Sequence, residues 1–371
     1  MTKKKILFLI PNLGGGGAER VLVNLVNGMD KSKYDITVQC IFKAGINAAF
    51  LDSNVRLKEG GIKQFSGNVM LMKLFSPKTL YKLIVGEHYD VAISYLEGVS
   101  ARIISGCPYR DTKKLAWIHV VHKSDADTYY SFRSKEEAVR CYCTFDSVLH
   151  VSRDVMKDFI RYYPMLKNNK VIYNVNDDER IRKLAAEPLG NFQLSKDINI
   201  VSVGRLIDMK GFARLIDAHH RLKQDGIKTH VYILGSGERQ DALQSQIIRN
   251  GDADTVHLLG FCDNPYKVVS RCDLFVCSSH REGFSTAVTE ALILGIPVVT
   301  TCVSGAYEQM GEKNEYGIVT ESNTDALYSG LRRILQEEGC LDYYRKQAKL
   351  RGSFFSKENA VKSVEEIIDF L

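Results

Sequence analysis

Residues 3–17, KKKILFLIPNLGGGG, and residues 197–211, DINIVSVGRLIDMKG, share one plan. In each, a short apolar run leads into a glycine-bearing loop, and a helix-length amphipathic segment follows. A strand that is apolar on both faces needs cover on both sides, which a parallel sheet with crossover helices supplies. The plan begins once in each half of the chain, and the same alternation extends outward from both starts. Strands are expected at 5–10, 35–42, 91–94, 115–119, 147–152, 198–204, 230–235, 256–260, 274–278 and 297–301. Helices are expected at 18–29, 77–87, 154–163, 211–224, 238–249, 265–271, 285–294, 323–337, 342–350 and 356–370. This is an α/β chain with two Rossmann-like, doubly wound domains in tandem and a cleft between them. Its 371 residues suit two domains, at a prior of roughly 150 residues each. The polar stretch 174–196 is the expected linker, giving domains at 1–175 and 176–355.

Composition is that of an ordinary globular protein, with 45% hydrophobic and 25% charged residues. The net charge of +6 is unevenly spread. Residues 1–185 carry 29 Lys and Arg against 19 Asp and Glu, and the remainder carries 21 against 25. A basic first half suits an anionic acceptor or surface; uneven solvated charge is the plain alternative. Nine cysteines, odd in number and scattered through apolar contexts, suit reduced thiols in a cytoplasmic protein. The opening MTKKKILFLIPN has too short an apolar core for a signal peptide and reads as a first strand. No run of 18 apolar residues is present, so no membrane span is expected.

The loops carry the chemistry. After the first strand, Gly14–Gly17 lets backbone N–H groups approach a ligand, and the next helix turns its positive end toward an anion. A dinucleotide fingerprint fails, because Glu19 or Arg20 falls where a small third residue is needed. In VGRLIDMKGF, Arg205 and Lys210 bracket a turn beyond a strand, where a planar fork and a point charge can grip one diphosphate. In ILGSGERQ, Gly235 and Gly237 suit either a close backbone approach to a ligand or a structural turn. In REGFSTAVTE, Glu282 stands before a helix mouth and Glu290 about one turn inside it. The first-turn N–H groups can take a phosphate, while the two carboxylates accept hydrogen bonds from hydroxyls on either side. A nucleoside diphosphate sugar has that layout; acids complementing a helix dipole are the plain alternative.

Three motifs together, Glu282-x7-Glu290, Gly204-Arg205-x4-Lys210-Gly211 and Gly16-Gly-Ala-Glu-Arg20, resemble the family 4 glycosyltransferases of the GT-B fold, retaining enzymes that use nucleotide sugars. The likeness runs from residue 5 to about 340, and the N-terminal loop is similar to that of bacterial members that build capsule, lipopolysaccharide or lipid-linked oligosaccharides. It implies a donor-binding second domain and an acceptor-binding first domain, with the last helix, 356–371, packing back on the first. Arg205 and Lys210 would neutralise the diphosphate, with Gly204 beside them; Glu290 would hold the ribose and Glu282 the donor sugar. Gly283, Phe284, Ser285 and Thr286 would bind the distal phosphate or sugar through their backbone. Gly16 and Gly17 would close over the diphosphate, Gly235 would line the site, and the backbone near Phe261 would meet the base. His119, in AWIHV, matches the family's first-domain histidine at the sugar end. The expected catalytic set is therefore Glu282, Arg205, Lys210 and His119.

The implied reaction is transfer of a hexose or N-acetylhexosamine from a UDP-sugar, a co-substrate, to a saccharide or lipid-diphosphate-linked acceptor. No cofactor, metal or nucleic-acid partner is expected. Asp125-Ala-Asp127 and Asp252-Ala-Asp254 look like metal-binding D-x-D pairs but sit in polar stretches, and His119-x2-His122 lacks a clear third ligand. A nucleotide-sugar 2-epimerase of the same fold and a non-catalytic sugar-nucleotide-binding subunit remain as alternatives. Residues 68–84 and 152–170 mix apolar residues with cations; either could rest on the inner face of the cell membrane, or simply cover a sheet with solvated lysines outward.

Overall fold

The computed structural model describes residues 2–61, 67–122 and 124–371. The chain divides into two compact units, Met1–Val175 with Lys357–Leu371, and Asn176–Ser356.

The first unit holds β1 (Lys4–Ile10), β2 (Tyr34–Cys40), β3 (Arg56–Lys58), β4 (Val91–Tyr95), β5 (Lys113–Ile118), β6 (Ser147–His150) and β7 (Asn169–Val171). Among the described residues they form one sheet in the order β3-β2-β1-β4-β5-β6-β7, parallel throughout. Ile6 to Ile10 of β1 are wholly buried, as helices on both faces require. Helix starts follow side-chain chemistry. Ser76 accepts a hydrogen bond from the Thr79 amide at 3.1 Å, with Pro77 as the first helical residue, and Ser152 accepts from the Val155 amide at 3.1 Å.

The C-terminal helix Lys357–Phe370 belongs to this unit. Lys4 Nζ donates to the Ile368 carbonyl at 2.9 Å, the Asp30 amide to Glu365 at 2.7 Å, and the Tyr34 hydroxyl to Asp369 at 2.7 Å.

The second unit holds β8 (Ile198–Val203), β9 (Thr229–Leu234), β10 (Val256–Gly260), β11 (Leu274–Cys277), β12 (Val298–Thr301) and β13 (Ile318–Thr320). Their order is β10-β9-β8-β11-β12-β13, again parallel. The core of this unit gathers Ile200, Leu215, Ile233, Val276, Val299 and Leu331.

Every strand and helix expected from the sequence forms, with ends shifted by a few residues. The strands it missed, β3, β7 and β13, span three residues each, too short to show a period. The expected linker 174–196 needs correction. It contains the helix Asp178–Ala185, opened by Asp177, whose side chain accepts from the Arg180 amide at 3.2 Å. Ile181 and Ala185 are its buried positions, four apart on one helical face. With only two buried apolar residues beside six charges in 177–185, the segment reads as polar linker until its neighbours are known.

Candidate functional site

In the second sheet β8 lies between β9 and β11, so the connections leave it in opposite directions and a crevice opens beyond the carboxyl ends of β8 and β11. The residues singled out in this unit follow strand ends: Gly204 and Arg205 after β8, Gly235 after β9, Phe261 after β10, and Gly283 to Glu290 after β11.

At the centre Lys210 Nζ donates to Glu282 Oε1 at 2.7 Å. The Ser279 hydroxyl donates to the same oxygen at 2.6 Å. The two ion-pair side chains keep 24% and 13% of their surface, so they are reachable from solvent yet largely walled by protein. The turn Asp208–Lys210 is clamped from below: His280 N donates to the Met209 carbonyl at 2.8 Å, and the Ser278 hydroxyl to the Lys210 carbonyl at 3.0 Å. Beneath the pair is a cavity of about 10 Å3 bounded by Ser202, Lys210, Ser278, Ser279, Glu282 and Ser285, about the room one water needs.

Gly211 makes this clamp possible. Its φ is +63°, and a Cβ there would lie 2.1 Å from the Ser278 carbonyl oxygen. Gly211→Ala is expected to destabilise the second unit by about 1–3 kcal/mol and to displace Lys210. Denaturant unfolding followed alongside donor binding checks this; wild-type values for both would contradict it.

Arg214, 9% exposed, supports the same loop from behind. It donates to the Ser278 carbonyl at 3.3 Å, to Ser322 Oγ at 3.0 Å and to His280 Nδ1 at 2.8 Å. Burial first, and then the Arg214 charge, lower the His280 imidazole below its usual range, which suits Nδ1 as the acceptor.

The helix Thr286–Ile293 opens at Ser285, whose hydroxyl accepts from the Val288 amide at 3.4 Å. Gln309 Nε2 donates to the Ser285 carbonyl and to Thr289 Oγ1, both at 2.8 Å, and Ser304 donates to the Gly283 carbonyl at 2.9 Å. Phe284 is 5% exposed and packs edge-on against Phe355, ring centres 6.0 Å apart. Its ring is therefore core, so of Phe284 only the backbone is left for a ligand. One turn in, Glu290 accepts a hydrogen bond from the Tyr266 hydroxyl at 3.2 Å. Tyr266→Phe is expected to raise the donor KM about three- to tenfold with kcat little changed, since it loosens the carboxylate without removing it. Steady-state kinetics at varied donor separates the two constants.

Arg205 is exposed at the end of β8. The ambiguity over the ILGSGERQ glycines resolves in favour of chain-on-chain packing. A Cβ on Gly235, at φ +144°, would fall 1.9 Å from the Gly204 carbonyl oxygen, and one on Gly237 2.4 Å from that of Leu206. The loop after β9 thus lies flat on the loop that carries Arg205, sealed by the Leu206 amide donating to the Ser236 carbonyl at 3.0 Å. Phe261 is 70% exposed beyond β10.

In the first unit Gly16 precedes the helix Gly17–Gly28 without a side-chain cap. Asn12 Oδ1 accepts from the Gly14 amide at 2.8 Å, shaping the glycine run. His119 follows β5 and is 7% exposed; its amide donates to Glu97 at 2.9 Å. Its ring lies 4.6 Å from that of Tyr95 and 6.0 Å from that of Trp117. Burial pushes the imidazole down to about 3, so it is neutral at physiological pH. His119 Nε2, the Tyr95 hydroxyl and Trp117 Nε1 are buried polar atoms with no hydrogen-bond partner among the described residues.

The two D-x-D pairs are tied up in local structure. Asp125 and Asp127 open the helix Asp125–Tyr129, and Asp125 pairs with Lys135 at 2.7 Å. Asp252 is fully buried against His220 at 3.0 Å and Lys223 at 3.4 Å, while Asp254 meets Lys223 at 2.8 Å. His122 pairs with Asp158 at 3.1 Å.

Reading the sequence missed Ser279, Tyr266, Gln309 and Arg214. Ser279 lies three residues before Glu282 in SSHREGF and was open to notice. The others make their contacts with partners 24 or more residues away in the chain, with no local signal.

Residues 191–351 match the family described as "Glycosyl transferases group 1". The chain is 34% identical over 233 residues, 62% of its length, to the N-acetylgalactosamine-N,N'-diacetylbacillosaminyl-diphospho-undecaprenol 4-alpha-N-acetylgalactosaminyltransferase of Campylobacter jejuni. It spans 61% of that protein's length. It is 24% identical to an uncharacterized glycosyltransferase of Haemophilus influenzae, covering 90% of each. Among solved structures, Anabaena HepE in complex with UDP and glucose superposes with a TM-score of 0.79 at 22% identity, over 99% of this chain and 100% of that one. Residues 191–351, within the second unit, thus match the glycosyl transferases group 1, and the chain's two Rossmann-like units share the GT-B fold of the solved structures.

Proposed function

We propose that this protein is a retaining, metal-independent glycosyltransferase that moves a hexose or N-acetylhexosamine from a UDP-sugar to a saccharide or lipid-linked saccharide in assembly of a bacterial surface polysaccharide. The observation that carries the reading is the pairing of Lys210 with Glu282 at the mouth of the helix Thr286–Ile293, with Glu290 one turn inside and Arg205 at the neighbouring strand end. The relatives support it: the Campylobacter protein is named for transfer to a diphospho-undecaprenol saccharide, and HepE was solved with UDP and glucose.

Cleaving the bond from sugar to diphosphate leaves growing negative charge on phosphate oxygen and positive charge on the sugar. Lys210 and Arg205 stabilise the former, as do the amides at the helix mouth, and they do so more in the transition state than in the ground state. These cations take the place a divalent ion has elsewhere. Glu282, paired with Lys210, also accepts hydrogen bonds from sugar hydroxyls, and Glu290 from the ribose. Neutral His119, buried beside Tyr95 and Trp117, keeps a ring nitrogen able to make one hydrogen bond. For retention, front-face attack with the leaving phosphate taking the acceptor's proton fits a site whose one motif carboxylate beside the sugar is already engaged by Lys210 and Ser279.

The test is turnover of a panel of nucleotide sugars with lipid-linked acceptors, with and without EDTA, and the anomeric configuration of the product read by NMR. A UDP-sugar donor, unchanged activity in EDTA and a retained anomer are expected. Activity that vanishes in EDTA and returns with manganese, or an inverted product, would overturn the mechanism. Release of free sugar or an epimer without transfer would point to the 2-epimerase instead.

A further inference from the structure

We propose that Glu19 is the carboxylate by which the first unit takes a hydrogen bond from a hydroxyl of the acceptor saccharide. The proposal rests on the glycosyltransferase reading and gives a role to a motif residue that the donor layout leaves without one. In the first sheet β1 lies between β2 and β4, so the connections leave it in opposite directions and a crevice opens beyond the carboxyl ends of β1 and β4. Glu19 stands in the first turn of the helix after β1, Tyr95 closes β4, and His119 follows β5.

The Glu19 carboxylate lies back over the start of its own helix. A Cβ built on Gly16 would meet Glu19 Cδ at 2.9 Å and Oε1 at 3.1 Å. An acid at this position ordinarily accepts from the amide of the residue that opens the helix. Here Gly16 opens the helix, and among the described residues no hydrogen bond or ion pair engages the Glu19 carboxylate. The neighbouring cation is turned elsewhere: Arg20 donates to Asn47 Oδ1 at 3.3 Å and lies 4.1 Å from the Phe50 ring centre. Glu19 is thus a half-buried acid whose acceptor oxygens are unused.

Unused donors lie beside it. Tyr95 is wholly buried, and its hydroxyl has no hydrogen-bond partner among the described residues; the same holds for Trp117 Nε1 and His119 Nε2. The three rings are in contact, that of Tyr95 lying 4.6 Å from His119 and 5.1 Å from Trp117. Burial first, and then the Glu19 charge, raise the Tyr95 hydroxyl well above its ordinary range, so it remains an O–H donor under the influence of Glu19. The turn beyond β4 is tightly fixed. Leu96 has φ +90° and Gly98 φ +81°, and Glu97 between them accepts from the His119 amide at 2.9 Å. Buried polar atoms without partners are costly, and a group that supplies the missing bonds is favoured there.

The chemistry selects the ligand. An unused anionic acceptor beside unused donors suits an alcohol, which can donate to the first and accept from the second. A phosphate can only accept, and its charge repels that of Glu19. Glu282 and Glu290 of the second unit serve the donor, so the hydroxyl at Glu19 is assigned to the acceptor saccharide. It is a hydroxyl other than the reacting one, whose own proton is left for the departing phosphate.

The test is steady-state transfer at varied concentration of a lipid-diphosphate-linked saccharide, beside calorimetric binding of UDP and of the UDP-sugar. Glu19→Ala is expected to lower kcat/KM for the acceptor about 10–100-fold, the effect of one hydrogen bond to a charged group, with donor binding kept within about twofold. Glu19→Gln keeps an acceptor oxygen and should recover part of the loss. Acceptor kinetics unchanged in Glu19→Ala, with only the melting temperature lowered, would make the acid a complement to the helix dipole and overturn the proposal. Tighter UDP binding by Glu19→Gln would place a phosphate at this helix mouth, and weaker binding of the UDP-sugar but not of UDP would assign the hydroxyl to the donor; either result overturns it. A wild-type chain that transfers to no acceptor would overturn the glycosyltransferase reading and this one together, whereas turnover indifferent to Glu19 overturns this one alone.

Discussion

Lys210→Ala is expected to lower kcat for sugar transfer about 10²–10³-fold, the usual consequence of deleting one preorganised group at a developing negative charge. Two effects combine. On the proposed reading one of the two cations at the donor diphosphate is gone, and Glu282, which Lys210 holds at 2.7 Å, loses its charged partner. The loss should fall on kcat more than on the donor KM, since the diphosphate gains charge only as the bond breaks. Lys210→Arg keeps the cation and should recover part of the rate. Thermal stability should change little: the pair remains partly open to solvent, and such ion pairs contribute about 0–1 kcal/mol. Single-turnover transfer with the Ala and Arg variants, beside their melting curves, tests the assignment. A kcat within about threefold of wild type for Lys210→Ala would remove it from the reaction.

Arg102→Met is expected to destabilise the first unit by about 3–5 kcal/mol, the cost of leaving a buried charge without its partner. Arg102 makes four hydrogen bonds from a fully buried position, two to Glu137 and two to the Met72 and Phe75 carbonyls. Methionine fills much of the volume and supplies none of them. Burial alone would raise the Glu137 carboxyl, but the Arg102 guanidinium and the Arg133 amide outweigh it and hold the carboxyl below its ordinary 4.5. Its contribution to stability is therefore complete above about 4.5 and is lost as pH falls through the lowered folded value. Removing Arg102 should erase that support, so the variant unfolds at higher pH on acidification. Hydrogen exchange resolved by unit, across an acid titration, measures both effects. Protection of the helix Val99–Ile104 equal to wild type would contradict the prediction. Glu137→Gln, which keeps the shape and part of the hydrogen bonding, should cost less.

How far the sequence could be read depended on whether a signal was local. Strands such as Ile6–Ile10 and Val298–Thr301 are runs of apolar or β-branched residues, and burial on both faces produces that composition directly. Ser76, Ser152 and Ser285 mark helix starts because a capping hydroxyl must sit beside the amide it satisfies. The helix Asp178–Ala185 was not legible, because its two buried residues have meaning only through what covers them.

The sequence by itself determined the two-fold βα plan, the glycine loops at strand ends, and the spacing that puts Glu282 before a helix mouth and Glu290 about one turn inside it. Each is an interaction between residues a few positions apart, or a composition imposed by burial. The tertiary structure alone decided that Lys210 closes on Glu282 from 72 residues away, and that Tyr266 steadies Glu290. It likewise decided that Gly235 carries the Arg205 loop and that Arg102 and Arg133 hold the chain at Phe75 and Leu74 by its carbonyls. Those contacts join loops from separate strands of one sheet, or helices across it. Strand order, which no local pattern encodes, brings such groups within hydrogen-bonding distance.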